Sequence, residues 1–439
     1  MNENGFNTEA VLFDPQQYDD LTKKQRILLK EAYDRALEVL KKNITPLGFS
    51  ACSIDDNIST GTDANYHSVW ARDGAATVIW SLDIREEAIF KCQKQTLRTL
   101  LDHQAPSGQI PANVGVATNK PDYGGVGGIG SIDSALWLVI ALWRFTKDTG
   151  DQSLIQDYYE NIQKMMLWLG AQDINNCGML EVPDCSDWMD LFTRNYNVLY
   201  DEVLWYRVLL CYSNILELCD EKESALEYQK KAAHVGKVIL ENFWPSTVNE
   251  RQSRAKDFSE RQFFLGNSQY LISQISPFSF SWRCDVYANV LAYLNGLTNK
   301  EHAQTTFNFL WGVGINSPWP VKNIYPPVAA GDPEWADFFT VNLLNLPNHY
   351  HNGGIWPFIG ALWVRFIHKL GMKNLARREL VRVAQLCKGG VSDSWEFNEW
   401  AHAVTGRPMG KRYQAWNAAS FIRACHDLHV EPESLKEGF

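Results

Sequence analysis

Residues 132–169 read IDSALWLVIALWRFTKDTGDQSLIQDYYENIQKMMLWL and contain the pattern that decides the fold. The first part, 132–149, is strongly apolar, and its length favours a helix over a strand. The second part, 151–169, is amphipathic, with apolar residues at helical spacing. Only Gly150 separates the two parts. The segment therefore predicts two helices joined by a tight link.

The rest of the chain repeats this pairing of helices. Helical patterns cover residues 21–42, 69–80, 85–103, 132–149, 151–169, 200–219, 222–243, 283–296, 299–312, 354–370, 373–387 and 412–428. Short links alternate with long loops, and the later long loops lie at 170–199, 244–282, 313–353 and 388–411. The sequence does not exclude short β-ribbons inside the loops. No run of more than a few residues shows the alternation of polar and apolar residues that is typical of a strand.

Twelve helices with alternating short and long links predict an all-α fold, an (α/α)6 toroid of six helical hairpins. The long loops would then gather at one end of the ring and form its functional end. An open helical-repeat solenoid would show sequence periodicity, and none is found. We expect residues 1–20 to be an extended lead-in and residues 21–439 to be one catalytic domain.

Composition excludes several classes of protein. The formal net charge is −10 and there is no basic run, which disfavours nucleic acid or an anionic membrane as a partner. No long apolar window predicts a membrane span, and residues 1–20 lack an apolar signal region. The nine cysteines are odd in number and form no CxxC pair, so we expect reduced thiols and a cytoplasmic location. Whether copies of the chain form a homo-oligomer stays open.

Aromatic residues make up 13% of the chain and include 17 Trp, many of them beside Asp, Glu, Asn or His in the loops. Aromatic faces with polar edges suit sugar rings, which have apolar CH faces and hydroxyl rims. The alternative is that Trp residues fill a large core. The aromatic and acidic composition of the loops favours a small-molecule sugar as the ligand.

The loop Glu181–Arg194, EVPDCSDWMDLFTR, contains the first candidate for a catalytic acid. Trp188 and Met189 precede Asp190, and an apolar neighbourhood raises the pKa of a carboxyl group by desolvation. Asp190 is therefore the predicted general acid. Asp187 and Asp184 are the alternatives, and any of the three carboxylates can instead brace the loop.

A second acidic cluster lies about two hundred residues later, in SWEFNEWAH at 394–402. Glu399 is the candidate general base that would activate a water molecule, and Glu396 is the alternative. Trp395 and Trp400 flank the two acids. An ordinary solvated loop acid is the competing interpretation of either Glu.

Polar residues also mark the starts of several predicted helices. Arg72 and Asp73, which follow Trp70, can bind two neighbouring sugar hydroxyls, although Asp73 can equally cap the helix. Asp133 has the same two interpretations. The stretch HYHNGGIWP at 349–357 is too polar, aromatic and glycine-rich for a simple turn, and we expect it to contact sugar.

Metal and phosphate chemistry are disfavoured. His349, His351 and His402 lack the HExxH context of a zinc site. The glycine-rich segment 124–130 lacks the preceding strand and the Lys-Ser/Thr of a phosphate loop. We therefore expect no metal and no cofactor.

With these residues in view, the chain resembles the (α/α)6-barrel glycoside hydrolases, above all the neutral/alkaline invertases and the glucosidase domain of glycogen-debranching enzymes. Residues 133–151 are similar to the invertase segment DSGLWW…TKSTGD, and 350–357 to YHNGGSWP. Residues 405–416 are similar to TGR…YQTW. Residues 188–206 look more like the debranching pattern TWMD…EINALWY. Together these motifs span about residues 65–425.

The resemblance implies an inverting mechanism with Asp190 as general acid and Glu399 as general base. The two carboxyl groups of such a pair lie roughly 6.5–9.5 Å apart. The resemblance also places Arg72, Asp73 and other residues at the sugar. The full set of predicted substrate-binding residues is Trp70, Arg72, Asp73, Asp133, Trp137, Asp187, Trp188, Arg194, His351, Asn352, Trp356, Trp395, Trp400 and Gln414.

One departure bears on the substrate. The invertase stretch DRRMGIHGHPLEIQ is replaced here by DLFTRNYNV at 190–198, which would shape the leaving-group side, so sucrose itself is in doubt. The predicted function is an exo-acting glycosidase for a small α-glucoside or sucrose-like sugar. The alternatives are a phosphorylase on the same fold, a non-catalytic sugar-binding toroid, and a sugar epimerase that would use His351 and His402.

Overall fold

The structure is a computed structural model, and it describes residues 18–57, 66–247 and 261–435. The predicted lead-in, 1–20, therefore lies outside the described residues except at its last three positions. The described helices are α1 Lys23–Lys42, α2 Ala71–Ser81, α3 Glu87–Asp102, α4 Asp133–Thr149, α5 Ser153–Asp157, α6 Tyr159–Gly170, α7 Leu199–Leu218, α8 Lys222–Phe243, α9 Val286–Leu294, α10 Lys300–Gly312, α11 Pro357–Lys369, α12 Lys373–Lys388 and α13 Ala415–Asp427.

Six of these helices, α2, α4, α7, α9, α11 and α13, form an inner ring. Each packs against the next in chain order, and α13 packs against α2 and closes the ring. Their sequences explain this position, because they are apolar on nearly every side: all residues of α2 and α9 are buried.

The remaining long helices, α1, α3, α6, α8, α10 and α12, form the outer layer. Each buries one face against an inner helix and exposes polar residues on the other, and α1 packs against the last inner helix, α13. The predicted (α/α)6 toroid is confirmed. The predicted helix 151–169 is wrong in one respect, because Tyr158 leaves the helical conformation and separates α5 from α6.

Each long loop runs from the end of an outer helix to the start of the next inner helix, so the N-termini of the inner helices meet at one end of the ring. Short strands brace these loops: β1 Ile44–Thr45, β2 Gly48–Phe49, β3 Ser68–Trp70, β4 Asn113–Gly115, β5 Pro121–Asp122, β6 Asn197–Val198, β7 Gln274–Ile275, β8 Phe280–Ser281, β9 Cys284–Asp285, β10 Ile324–Tyr325, β11 Trp400–Ala401 and β12 Pro408–Met409. All pairings are antiparallel.

These ribbons correct two predicted helix starts. Val69 and Trp70 pair with β4, so α2 begins at Ala71 and not at 69. Cys284 and Asp285 pair with β10, and the Asp285 side chain then caps α9 by accepting the N–H of Ala288.

The opposite end of the ring is held by buried charges. Asp427, near the end of α13, accepts hydrogen bonds from Nε of Arg365 on α11 and from Nε of Arg423 at 2.9 Å. The nine cysteines all lie in the described residues, and none is in a disulfide. No described helix is both long and apolar enough to cross a membrane.

Candidate active site

A cavity of about 680 Å³ opens at the end of the ring where the inner helices begin. Its walls come from the long loops and from the first turns of α2 and α13. Of the described residues, those that line it are Ala51, Tyr66, Trp70, Arg72, Asp73, Trp188, Asp190, Leu191, Asn342, Leu344, Tyr350, His351, Trp356, Glu399, Trp400, Met409, Gly410, Lys411 and Trp416.

Asp190 lies in one wall of this cavity, on the loop that leads into α7. Its side chain keeps 17% of its exposure, and Arg72 Nη2 approaches its Oδ2 to 3.5 Å. Burial raises the pKa of Asp190 to about 7, against the opposing effect of Arg72 and with help from Asp133 and Asp73. A carboxyl group with this pKa is partly protonated near neutral pH and can donate a proton.

Arg72, the second residue of α2, organises the acids around it. Its Nη1 donates to both carboxylate oxygens of Asp133, at 3.1 and 2.9 Å, and its Nε lies 3.8 Å from Asp73. Tyr200 donates to Asp133 at 3.0 Å, and Trp137 donates to the Tyr200 hydroxyl at 2.7 Å. The two predicted residues Asp133 and Trp137 therefore stand behind Arg72 and do not line the cavity.

Glu399 lies in the cavity wall on the loop before α13 and is 6% exposed. Tyr66 donates to its Oε1 at 2.8 Å, Tyr350 approaches the same oxygen at 3.4 Å, and the N–H of Lys411 donates to Oε2 at 3.1 Å. Burial raises the pKa of Glu399 to about 7, although the hydrogen bonds from Lys411 and Tyr66 oppose this. Burial also raises the pKa of Asp73, which lines the same cavity, to about 6. The site therefore holds three carboxyl groups with raised pKa values on one cavity, and those of Asp190 and Glu399 are the highest.

The alternative acids occupy other environments. Asp187 accepts Nε of Arg194 at 2.6 Å and the N–H of Met189 at 2.7 Å. Asp184 is exposed and lies outside the cavity lining. Both placements leave Asp190 as the member of the trio that faces the cavity.

Glu396, the alternative base, is fully buried and holds its own loop together. Its carboxylate accepts the backbone N–H groups of Val391, Ser392 and Asp393 at 2.8–2.9 Å, and Asn398 Nδ2 at 3.1 Å. These bonds lower the pKa of Glu396 against the effect of burial. A carboxylate that is fully occupied by its own loop is poorly suited to activating water.

The sixteen predicted site residues divide between the cavity and the layer behind it. Those in the lining are Trp70, Arg72, Asp73, Trp188, Asp190, His351, Trp356, Glu399 and Trp400. Those outside it are Asp133, Trp137, Asp187, Arg194, Asn352, Trp395 and Gln414.

Most of the residues outside the lining have identifiable structural partners. Arg194 joins Asp187 to Asp285, both at 2.6 Å. The amide of Asn352 bonds the backbone of Val328 and Asn345, and Trp395 donates to Glu31 on α1 at 2.8 Å. Gln414 is buried at the start of α13.

An aromatic cluster forms the floor of the cavity. The Trp188 ring meets Trp356 and His351 edge to face, at 5.4 and 5.2 Å between centroids, and His351 is nearly parallel to Trp356. Burial lowers the pKa of His351 well below its usual range, so the ring is neutral. The indole N–H groups of Trp188 and Trp416 have no hydrogen-bond acceptor among the described residues.

Several lining residues were not singled out by sequence reasoning. Tyr66 belongs to no motif named above, and Tyr350 lies within the predicted sugar-contacting stretch 349–357 without a role of its own, because a tyrosine in such a stretch is equally typical of a core. Lys411 lies between the two parts of the TGR…YQTW motif, and Trp416 is its last residue. Leu344 and Asn342 come from a segment with no motif, and only the folded loop brings them to the cavity.

Neither a metal site nor a histidine pair is found at the cavity in the part of the chain that the structure describes. One group with metal-ligand spacing, Asp173, Cys177 and Glu181, lies on the loop after α6 and outside the lining. Glu181 accepts the N–H of Ile174 at 2.6 Å, which braces that loop. His402 bonds the turn at Thr405 and lies outside the lining, so it does not face His351 across the cavity.

Two family models match long stretches of the chain. The model of the bacterial alpha-L-rhamnosidase six-hairpin glycosidase domain matches residues 70–303. The model of the alkaline and neutral invertases matches residues 257–432. The likeness that the motifs predicted, to six-hairpin glycosidases and invertases, is confirmed.

Individual relatives are distant. Neutral/alkaline invertase 1, mitochondrial, of Oryza sativa subsp. japonica is 26% identical over 415 residues, which are 82% of this chain and 64% of that protein. Alkaline/neutral invertase C, mitochondrial, of Arabidopsis thaliana is 24% identical over 84% of this chain. This chain spans 62% of the latter's length, so it covers less than two thirds of either relative.

Among solved structures, the GH63 mannosylglycerate hydrolase of Thermus thermophilus, in complex with Tris and D-glycerate, is similar with a TM-score of 0.62. The alignment covers 89% of this chain and 99% of that one at 14% identity. At this identity the likeness shows the shared fold.

Proposed function

Because the chain belongs to the family of six-hairpin glycosidase domains, we propose that it is an inverting, exo-acting glycoside hydrolase for a small α-glucoside or sucrose-like sugar. Asp190 is the general acid and Glu399 the general base. One observation carries the proposal: two carboxyl groups with pKa values near 7 line the same cavity, each in a different hydrogen-bond environment. Inverting glycosidases need one acid and one base on opposite sides of the scissile bond.

The acid step follows from the surroundings of Asp190. Its protonated carboxyl group donates to the glycosidic oxygen as the bond breaks. The carboxylate that remains lies 3.5 Å from Arg72 Nη2, which stabilises the negative charge. Asp133 holds the other guanidinium nitrogen, Nη1, and so fixes the position of Arg72.

The base step uses the ionised form of Glu399. Tyr66 and the N–H of Lys411 each donate to one carboxylate oxygen, which stabilises the anion and fixes its orientation. The remaining lone pairs accept a proton from water, which attacks the anomeric carbon from the side opposite Asp190. Inversion of the anomer is the direct consequence.

Asp73 and the aromatic floor are suited to binding the sugar itself. Asp73 faces the cavity, and its nearest cation is Arg72 Nε at 3.8 Å, too far for a strong hydrogen bond. Its carboxylate can therefore accept sugar hydroxyls. Trp188, Trp356 and the start of α13 close the cavity below, so we propose that only the end of a sugar chain enters.

An NMR assay with a panel of sugars tests the proposal. The panel contains sucrose, isomaltose, maltose, trehalose and glucosylglycerol, with mannosylglycerate and an α-L-rhamnoside to cover sugars named for relatives. Each sugar is tested without and with inorganic phosphate. Hydrolysis with an inverted first-formed anomer is expected. A retained anomer, or turnover only with phosphate, would contradict the proposal.

Three further points remain predictions. We propose that residues 21–439 act as one catalytic unit and that the protein works in the cytoplasm without a metal or cofactor. The oligomeric state can be measured directly by light scattering of the purified chain.

A further inference from the structure

The wall of the cavity next to Asp190 is built from two segments that pack on each other. Leu191 follows Asp190 directly and lines the cavity. Asn345 Nδ2 donates to the carbonyl oxygen of Leu191 at 2.7 Å, and Phe192 stacks on Phe339 with centroids 4.7 Å apart and ring planes at 9°. The segment 337–345 and the loop of the acid therefore form one surface, which we call the acid wall.

The acid wall presents mainly apolar atoms. Leu191 and Leu344 line the cavity with a single amide, that of Asn342. Val341 and Leu343, which alternate with these residues along the segment, lie outside the lining and are 60% and 64% exposed. Exposed apolar residues in a segment that lines a cavity are typical of ligand contact.

The backbone of this wall is strained where it meets the cavity. Asn342 and Leu343 have φ angles of +55° and +54°. The left-handed conformation costs a leucine roughly 1–2 kcal/mol, and such residues cluster at ligand-binding sites. In this conformation Asn342 and Leu344 line the cavity, whereas Leu343 lies outside the lining and is exposed.

The acid wall contains no cation for a charged leaving group. Residues 337–345, DFFTVNLLN, include no Lys, Arg or His, and neither do residues 190–193. Arg72 is already engaged by Asp133 and Asp190, and Arg194 lies between Asp187 and Asp285. Lys411, the other cation of the described cavity lining, lies on the side of Glu399, with its ammonium group over the Tyr66 ring. A leaving group that carries a carboxylate would therefore meet Asp190 at the acid wall without a counter-ion from that wall.

We propose that the acid wall is the leaving-group subsite and that it selects apolar leaving groups. Of the two substrate classes in the proposed function, this favours the α-glucosides over the sucrose-like sugars and narrows them to alkyl or aryl glycosides. The assignment rests on the proposed function in one respect, since the general acid stands on the leaving-group side of the scissile bond. Leu191 and Leu344 then contact the carbon atoms next to the glycosidic oxygen.

Hydrolysis of a matched series measures this selectivity. The series is the methyl, butyl and hexyl glycosides of the sugar that the panel identifies, with its glycerol and glycerate glycosides. We expect kcat/KM to rise about two- to threefold for each methylene that the wall covers, and to be lowest for the glycerate. Leu344→Asn and Leu191→Asn should flatten the rise, whereas Leu167→Asn, at an exposed position on outer helix α6, should leave it unchanged.

Binding to Asp190→Asn separates this inference from the proposed function. Calorimetry measures the binding of alkyl glycosides to this variant, so no hydrolysis is needed. If the panel identifies no substrate, alkyl α-glucosides are used. Affinity that rises with chain length, and falls in Asp190→Asn/Leu344→Asn, supports the acid wall even if no hydrolysis is seen. Hydrolysis without any dependence on chain length would overturn the acid wall and leave the proposed function standing. Failure to bind any alkyl glycoside would also overturn the acid wall.

Discussion

Two glutamates three residues apart show how a residue's role depends on its partners. Glu396 and Glu399 stand in one aromatic, acidic sequence, yet the pKa of Glu396 is lowered and that of Glu399 is raised. Three backbone N–H groups hold Glu396, whereas Glu399 faces the cavity with two side-chain donors and one backbone donor. The difference arises from loop geometry.

Replacing Tyr66 by Phe tests whether Glu399 acts as the base. The variant loses the 2.8 Å donor to the carboxylate, so the pKa of Glu399 should rise, because a hydrogen bond to the charged form lowers it. In the pH profile of kcat/KM, the acidic limb should move to higher pH by about half to one unit, whereas the basic limb should not move. Tyr350→Phe, which removes a donor at 3.4 Å, should move the limb less. An unmoved acidic limb in Tyr66→Phe would contradict this role.

The sequence predicts the candidate site best for residues whose side chains both carry a reactive group and line the cavity. Asp190 and Glu399 were predicted from their aromatic, acidic surroundings and from the resemblance, and both line the cavity, while their catalytic roles stay predictions. Asp133 and Arg194 were predicted as sugar contacts but lie behind the cavity, bonded to Arg72 and to Asp187 with Asp285. A polar residue that positions another looks, in sequence, like one that touches the ligand.

At the scale of elements, the ribbon β11–β12 carries the base. The turn after β12 brings Gly410 so close that a Cβ atom there would lie 2.4 Å from Oε2 of Glu399. Its φ of +76° also favours glycine. The ribbon therefore fixes both the position of Glu399 and the N–H of Lys411 that bonds it.

Gly410→Ala should displace Glu399, with Gly150→Ala as a matched control. Gly150, at the end of α4, has a φ of +78° and nothing within 4 Å of an added Cβ. The positive φ alone should cost each variant about 1 kcal/mol of unfolding free energy, and the close contact adds to this only in Gly410→Ala. Only Gly410→Ala should also lose about 100-fold in kcat, because the base is misplaced. Equal activities in the two variants would show that the contact does not matter.

Elements were predicted where periodicity lasts for three turns or more. The inner and outer helices were found, but the starts of α2, α9, α11 and α13 were set two or three residues too early. Strands β3 and β9 are only three and two residues long, and their partners lie far along the chain, so they leave no alternation in the sequence. The break at Tyr158 interrupts a pattern that reads as one continuous helix.

In the whole molecule, the cavity and a cluster of buried ion pairs lie at opposite ends of the ring. The cavity opens where the inner helices begin, and buried ion pairs join the same helices at their other end. Arg365 and Arg423, from α11 and α13, share the carboxylate of Asp427 there. The toroid could be predicted because alternating link lengths allow few closed arrangements, whereas these end contacts have no sequence signature.

Asp427→Asn should lower stability without changing the reaction. Loss of the charge leaves the buried guanidinium group of Arg365 without its anion, whereas Arg423 keeps Asp83 at 3.0 Å. The expected loss is about 3–5 kcal/mol of unfolding free energy. Because the arginines hold the pKa of Asp427 below its usual range, this stabilisation is present above about pH 4 and is lost as the pH falls through the folded-state pKa.

Urea unfolding at pH 7 and at pH 3 measures this effect, with Glu38→Gln as the control. Glu38 pairs with Arg35 on the exposed face of α1, so its loss should cost less than about 1 kcal/mol. Similar stability losses in Asp427→Asn and Glu38→Gln at pH 7 would contradict a role for the buried pair in closing the ring.

The most direct test of the central claim compares two leaving groups in Asp190→Asn and Glu399→Gln. A glycosyl fluoride of the accepted sugar needs little proton donation, whereas an alkyl glycoside needs it fully. Asp190→Asn should lose about 100- to 10,000-fold in kcat on the alkyl glycoside and less than about tenfold on the fluoride. Glu399→Gln should lose most of its kcat on both substrates. Equal losses of Asp190→Asn on the two substrates, or recovery of Glu399→Gln on the fluoride, would contradict the assignment of acid and base.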